Sequence, residues 1–382
     1  MNKPIPYGRQ SITAEDIAAV VETLQSDFLT QGPKPGEFEK LFAAYIGSKY
    51  AVTVANGTGA LHLASLAYQL SPGEKIITSP ITFSASANCA RYCGAEVLFA
   101  DIDKDSYTID LNRVEDLFKK DKKIKGVVPV DLAGYPVNLE QLKTITDKYG
   151  AWILEDACHA PGGYFTDSKG AKQNCGNGRF AEQAVFSFHP VKHIACGEGG
   201  MITTNDEKIY KRLLRLRTHG LTRDPLEMQE NHGGWYMELT ELGYNYRLPD
   251  MLASLGISQL KKADAGLKRR KEIAAKYDIG LKNAGVRTPQ YDAGHAFHLY
   301  VVQSDKRKEL YDYLRTKNIF TQVHYIPVHL MPYYRQFGFK KGDFPAAESY
   351  YERCLSLPMY PTLTEEEQNY VIESIQSFKL NI

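Results

Sequence analysis

Ala51-Val-Thr-Val-Ala55-Asn-Gly-Thr58-Gly59-Ala-Leu-His-Leu-Ala64 changes texture twice within a short span. A partly β-branched apolar run gives way to small polar residues, which lead into a stretch with helical apolar spacing. Read as strand, turn and helix, the unit recurs. Apolar runs at Lys75–Thr78, Val97–Ala100, Gly126–Val130 and Trp152–Leu154 alternate with helical stretches such as Gly59–Leu70 and Leu139–Tyr149. The runs are continuous rather than alternating, as in strands buried on both faces. The expected fold is therefore α/β, with a mostly parallel sheet covered by helices. Ala184–Phe188 and Gly200–Thr204 are expected to join that sheet.

Upstream of this unit, Thr13 reads as an N-cap with Glu15 and Asp16 in the first turn. Ile17, Val20, Val21 and Leu24 then keep one apolar face to about Ser26. Downstream, the texture shifts near Pro249. Residues 249–283 carry a long helical pattern whose basic run, Lys261 to Lys271, reads as a solvated face. A strand is expected at His298–Val302, a helix at Arg307–Lys317, a strand at Thr321–Tyr325, and two closing helices. The expected organisation is a large α/β domain with an N-terminal arm over 1–250 and a smaller α/β domain over 251–382.

Composition narrows the function. A chain of 382 residues exceeds one ordinary domain of roughly 150 residues. With 43% hydrophobic and 24% charged residues, it has the apolar surface to offset its ordering entropy, which excludes disorder. Lys+Arg 46 against Asp+Glu 45 leaves +1, with no basic excess for a phosphate backbone, so nucleic acid is not an expected partner. No apolar run reaches the ~20 residues that a membrane helix needs. The opening MNKPIPYGRQ lacks the basic head and apolar stretch of a signal peptide, so a cytoplasmic enzyme is expected. The six cysteines form neither a disulfide framework nor a CxxC zinc pair, and no metal is expected. Cys89 and Cys93 read as small hydrophobes in an Ala-rich helix.

Three places carry chemistry. Ala184-Val-Phe-Ser187-Phe-His-Pro-Val-Lys192 runs a strand into a polar turn holding one lysine, before the Gly-rich Gly197–Gly200. Parallel α/β folds keep their chemistry at such strand ends, and a partly desolvated lysine there is suited to a Schiff base. A lone lysine is more often a surface residue. The second place lowers those odds: Trp152-Ile-Leu-Glu-Asp156 sets an aspartate at the end of an apolar strand, where it can hold the charge of a protonated pyridine. His159 follows, either to orient Asp156 or to cover a ring, or simply as a helix-start histidine. The third is the Asn56–Gly59 turn, where free N–H groups and the Thr58 hydroxyl make a phosphate site. It is not a dinucleotide fingerprint, because His62 stands at the third glycine. Gly176-Asn-Gly178-Arg-Phe-Ala181 matches that pattern loosely but follows a polar loop, Ser168–Cys175, and is set aside.

The phosphate turn, the aromatic segment Pro80-Ile-Thr-Phe83, Glu155-Asp156 with His159, and Ser187-Phe-His with Lys192 occur in an order that resembles the DegT/StrS nucleotide-sugar aminotransferases. The resemblance also covers Leu29-Thr30-Gln31-Gly32, Arg217-Thr-His219-Gly, Asn245-Tyr-Arg247-Leu and Gln322-Val-His324-Tyr325. It implies a fold-type I pyridoxal 5'-phosphate enzyme. By that resemblance, Lys192 holds the cofactor and Asp156 pairs with its ring nitrogen. Thr58, Gly59 and Ser187 bind its phosphate, joined by Asn245 from a partner subunit, while Phe83 and His159 meet the ring. Tyr7, Asp27, Phe28, Leu29, Thr30, Asn56, His219, His324, Tyr325, Ile326 and Pro327 stand where relatives line the sugar-nucleotide cleft. His295 and His298 are assigned nothing.

Within the family, LTQGP, SPITFSASANC, FSFHPVKH and QVHYIPVH are most similar to the branch serving pseudaminic acid synthesis. That branch aminates C4 of a UDP-linked 2-acetamido-2,6-dideoxy-4-keto sugar, with glutamate as the usual family donor. The resemblance also implies a homodimer with shared sites, and the polar stretch Thr222–Gly233 is long enough to cross a subunit boundary. Another UDP- or dTDP-keto sugar, aminated at C4 or C3, remains open. A dehydratase of the same fold would carry histidine in place of Lys192. A non-catalytic cofactor-binding regulator would carry a basic DNA-binding segment, and an NAD-dependent epimerase the missing glycine fingerprint.

Overall fold

The computed structural model describes residues 3–380. Its centre is a seven-stranded sheet: β1 (Tyr50–Val54), β2 (Lys75–Thr78), β3 (Glu96–Phe99), β4 (Ile124–Val128), β5 (Trp152–Asp156), β6 (Gln183–Ser187) and β7 (Gly200–Thr204). The strands lie in the order β1-β7-β6-β5-β4-β2-β3. All neighbours run parallel except β7, which is antiparallel to both β6 and β1. Ala184–Phe188 and Gly200–Thr204 thus join the sheet as expected. The buried Val52, Val54, Ile76, Val128, Leu154, Val185 and Ile202 explain the continuous apolar runs, since both faces of these strands are covered.

The helices of this half are α1 (Ala14–Leu24), α2 (Lys34–Ile46), α3 (Gly57–Ala67), α4 (Ala85–Tyr92), α5 (Leu111–Lys120), α6 (Leu139–Tyr149) and α7 (Glu207–Arg217), of which α1, α3, α4 and α6 fall where the sequence places them. The long pattern at 249–283 is broken into α8 (Asp250–Leu260) and α9 (Ala263–Gly280). Beyond it come β8 (Tyr300–Gln303), α10 (Arg307–Thr316), α11 (Pro332–Arg335), α12 (Pro345–Arg353), β9 (Cys354–Leu357) and α13 (Glu365–Leu380). β8 pairs antiparallel with β9, and Ile273, Tyr277, Tyr300, Leu314, Leu355 and Val371 form an apolar core around them. Ile5 joins this core from the N-terminal arm, because Ile5–Pro6 pairs in parallel with Ile319–Phe320.

Four expectations need correcting. The apolar face of α1 points outward: Ile17, Val21 and Leu24 are exposed, whereas Asp16 and Thr23 are buried. The inner side is polar by design of its neighbours, for the Asp16 carboxylate accepts from Ser258 Oγ at 2.7 Å, Gln259 Nε2 at 2.8 Å and Lys262 Nζ at 2.6 Å. Thr321–Tyr325 is a loop, with only Gln322 bridging to Ser356 on the outer edge of β9. The basic run is not wholly solvated. Arg270 is 2% exposed and donates from Nη1 to the carbonyls of Phe297, His298 and Met359. The polar loop before Gly176 contains a strand, Lys172–Asn174, but it pairs only with Tyr164–Thr166, apart from the main sheet.

Candidate active site

A cavity of about 830 Å³ opens at the C-terminal ends of the parallel strands. Strand direction explains its contents. β1, β5 and β6 all finish there, so the residues that follow them converge although they are distant in sequence.

The turn after β1 caps α3. Asn56 is the N-cap: its side chain accepts from Gly59 N–H at 2.8 Å and its carbonyl from Ala60 N–H at 3.0 Å. The N–H groups of Gly57 and Thr58 find no partner among the described residues, leaving the positive end of the helix facing the cavity. A Cβ at 57 would stand 3.0 Å from Ser187 Cβ, so glycine there lets the two elements approach closely. Ser187, the last residue of β6, is thereby brought against the helix end. An anion of phosphate size matches this cradle.

β5 ends in Asp156, which is 5% exposed. Its Oδ2 accepts from Ser86 Oγ at 2.6 Å and its Oδ1 from Cys158 N–H at 3.2 Å. His159 lies beside it with Nδ1 accepting the Ala133 N–H at 3.2 Å, so the ring proton sits on Nε2, facing Tyr325 Oη at 3.3 Å. Burial and the charge of Lys192 hold the His159 pKa well below the usual imidazole range, so the ring stays neutral. Lys192 follows β6 in a turn closed by its own N–H to the His189 carbonyl at 2.8 Å. Burial lowers the Lys192 pKa, against the opposing pull of Cys158 and Asp156. Its ammonium forms no ion pair among the described residues, which favours the neutral, nucleophilic amine.

Phe83, 59% exposed, stands at the mouth with its ring 6.2 Å from that of Tyr325. Tyr7 and His324 line the far side, their rings 5.1 Å apart. His324 bonds Ser356 Oγ through Nδ1 at 2.8 Å, and burial lowers its pKa to about 3.

Lys192, Asp156, Thr58, Gly59, Phe83, His159, Ser187, Tyr7, Asn56, His324 and Tyr325 therefore share one cavity. Asp27, Phe28, Leu29, Thr30, His219, Asn245, Ile326 and Pro327 do not line it in this chain. Phe28, Leu29, Asn245 and Ile326 are exposed. Sequence reasoning missed Ser86, Tyr246 and His298. Ser86 could have been found three residues after Phe83, one helical turn on. His298, which was assigned nothing, packs its ring 4.3 Å from His159, and its place just before β8 gave no signal of that.

Comparison with known proteins gives a consistent result. The profile of the DegT/DnrJ/EryC1/StrS aminotransferase family matches residues 10–376. The chain is 40% identical to the spore coat polysaccharide biosynthesis protein SpsC of Bacillus subtilis, covering 98% of this chain and 97% of SpsC. PseC of Helicobacter pylori, an aminotransferase involved in the biosynthesis of pseudaminic acid, superposes with a TM-score of 0.91 at 30% identity over all of both chains. The sugar aminotransferase Spr1654 of Streptococcus pneumoniae in its PLP form superposes at 0.90 with 27% identity, covering 99% of each chain. Members of that family use pyridoxal phosphate. The cavity fits such a group: two unpaired helix N–H groups suit its phosphate, and a lysine without an ion pair stands near a buried carboxylate.

Proposed function

The chain belongs to the DegT/DnrJ/EryC1/StrS aminotransferase family, a sugar aminotransferase of fold type I that uses pyridoxal phosphate, and on that premise we propose that it aminates C4 of a UDP-linked 2-acetamido-2,6-dideoxy-4-keto-hexose with glutamate as donor. The observation that carries this reading is the convergence of Lys192, Asp156 and the bare end of α3 on one cavity. The likeness to PseC over the full chain supports the pseudaminic acid branch. The 40% identity with SpsC favours a second reading, another nucleotide-linked keto sugar aminated at C4 or C3 for a surface polysaccharide.

Bound pyridoxal phosphate supplies an electron sink that lets the carbon next to nitrogen lose a proton near neutral pH. The residues divide the remaining work. Asp156 would hold a proton on the ring nitrogen, and Ser86 and the Cys158 N–H fix its two oxygens for that task. Lys192 would hold the cofactor through Nζ, and its freed amine would serve as the base that moves a proton at the carbon next to nitrogen. Burial lowers its pKa, which makes Nζ a readier base than an exposed lysine. Gly57, Thr58, Gly59 and Ser187 hold the phosphate. Phe83 and His159 would flank the ring, and the neutral His159 would add no charge there. Tyr7, His324 and Tyr325 border the space for the sugar.

Two features of assembly belong to the same reading. Residues 1–250 act as the cofactor unit and 251–382 as a smaller unit, supported by the separate core around β8 and β9. The enzyme works as a homodimer in the cytoplasm, with Asn245, His219 and the Asp27–Thr30 segment serving the neighbour's cavity. The exposed Ile17, Val21, Leu24, Phe28 and Leu29 support the dimer. Six free cysteines suit a reducing compartment, and no described helix is long and apolar enough to cross a membrane. The test is to offer several UDP-4-keto-6-deoxy sugars with glutamate and identify the amino product. Amination at another carbon, or of dTDP sugars alone, would select the second reading.

A further inference from the structure

Beneath the cavity, two carboxyl groups face each other without a cation. Asp131, in the turn after β4, is 1% exposed, and Glu155, just before Asp156 on β5, is 2% exposed. One oxygen of each and the Cys175 sulfur lie within 4.8 Å of one another. Asp131 Oδ1 accepts the Val137 N–H at 2.9 Å, and Glu155 Oε2 accepts the Gly176 N–H at 2.8 Å. Asp131 Oδ2 has no partner among these backbone donors. The groups facing the pair are the Asp156 carboxylate and the Cys175 thiol, and no lysine, arginine or histidine donates to either acid among the described residues.

Two anions cannot be held so close in a buried, cation-free chamber. Burial pushes both carboxyl groups above their ordinary range, joined at Glu155 by the charge of Asp131 and at Asp131 by the charge of Asp156. The location matters for the cavity. The Asp131 N–H donates to the Asp156 carbonyl at 3.1 Å, and Asp156 N–H donates to the Pro129 carbonyl at 2.8 Å. The turn held by Asp131 also contains Ala133, in the left-handed region at φ 60°, whose N–H donates to His159 Nδ1. One small turn therefore sets the end of β5 and the tautomer of His159 together.

We propose that Glu155 donates a hydrogen bond through a retained proton to Asp131 Oδ2, and that this acid pair is a positioning device for Asp156 and His159. The carboxylic O–H stays on the Glu155 side, and the negative charge stays on Asp131, so no net proton leaves the pair while the enzyme turns over. The positioning role rests on the aminotransferase reading of the cavity; the acid pair itself does not. The experiment separates the two.

Infrared difference spectra of the cofactor-free full chain, wild type minus Glu155→Gln, should contain a protonated-carboxyl stretch at neutral pH. In the holoenzyme, Glu155→Gln, whose amide still donates to Asp131, should retain turnover within about threefold. Glu155→Leu leaves Asp131 alone and should lower kcat at least about tenfold with KM for the sugar within about twofold. It should also shift the pH at which the bound-cofactor absorbance titrates. A missing carboxyl band overturns the acid pair, as does a tightly bound divalent metal lost in Cys175→Ser. A band combined with unchanged cofactor titration in Glu155→Leu overturns the positioning role. Should Glu155→Leu fail to fold, the infrared band and the pH profile of Glu155→Gln still decide.

Discussion

The floor of the cavity and the surface around α1 are built on opposite logics. At the floor, the polar groups of Asp156, His159 and Asn56 are engaged by their own chain, down to the N–H that fixes a tautomer. Around α1, the polar side is satisfied by α8 and Lys262 while Ile17, Val21 and Leu24 face out, next to exposed Phe28 and Leu29. Leu226, Trp235 and Leu242 extend the same condition to the loop before Asn245. The floor's polar groups are satisfied within one chain, whereas the surface leaves apolar residues uncovered; in the proposed homodimer, a second copy would add apolar cover and the outlying binding residues.

That contrast can be broken at its strongest point. Lys192→Ala should abolish transamination and leave the fold intact, since Lys192 makes no ion pair on which packing depends; kcat and circular dichroism check both halves. Asp156→Asn should retain cofactor yet slow the half-reaction at least about a hundredfold, on the order of 3 kcal/mol, followed in a stopped-flow spectrometer. A near-normal rate would mean that the floor is held by another acid. The surface is probed by mixing Lys192→Ala subunits with Asn245→Asp subunits. If sites are shared, one site of each mixed dimer escapes both defects and activity returns toward half; if not, mixing restores nothing. Gly57→Ala should sharpen the comparison with the smallest effect. The added Cβ crowds Ser187, so cofactor affinity should fall by about fivefold by titration while dimer mass stays unchanged.

Much of the floor was legible because strand-end chemistry leaves a signature in sequence. An apolar run stopping at Asp156, and another stopping before Lys192, says where each side chain emerges. The direction of β7 was not legible, since an apolar run has no polarity of its own. Amphipathic spacing in α1 revealed a stripe but not which way it faces, because partner surfaces and cores select the same residues. Arg270 was hidden within a basic run, and only three converging carbonyls make its burial tolerable. Thr321–Tyr325 has the β-branched and aromatic composition of a strand, but its pairing with β9 stops at the single bridge of Gln322 to Ser356.

The antiparallel β7 has a consequence in time. β1 lies at the edge of the sheet and pairs only with β7, Val54 opposite Gly200. On the ribosome, β2 to β6 can zip together while β1 waits for a partner made roughly 150 residues later, on the order of ten to thirty seconds of synthesis. The turn proposed to cradle the phosphate is thus encoded early and fastened late. A nascent chain halted before residue 200 should be nicked by protease at 54–59, and one extended past 204 should resist.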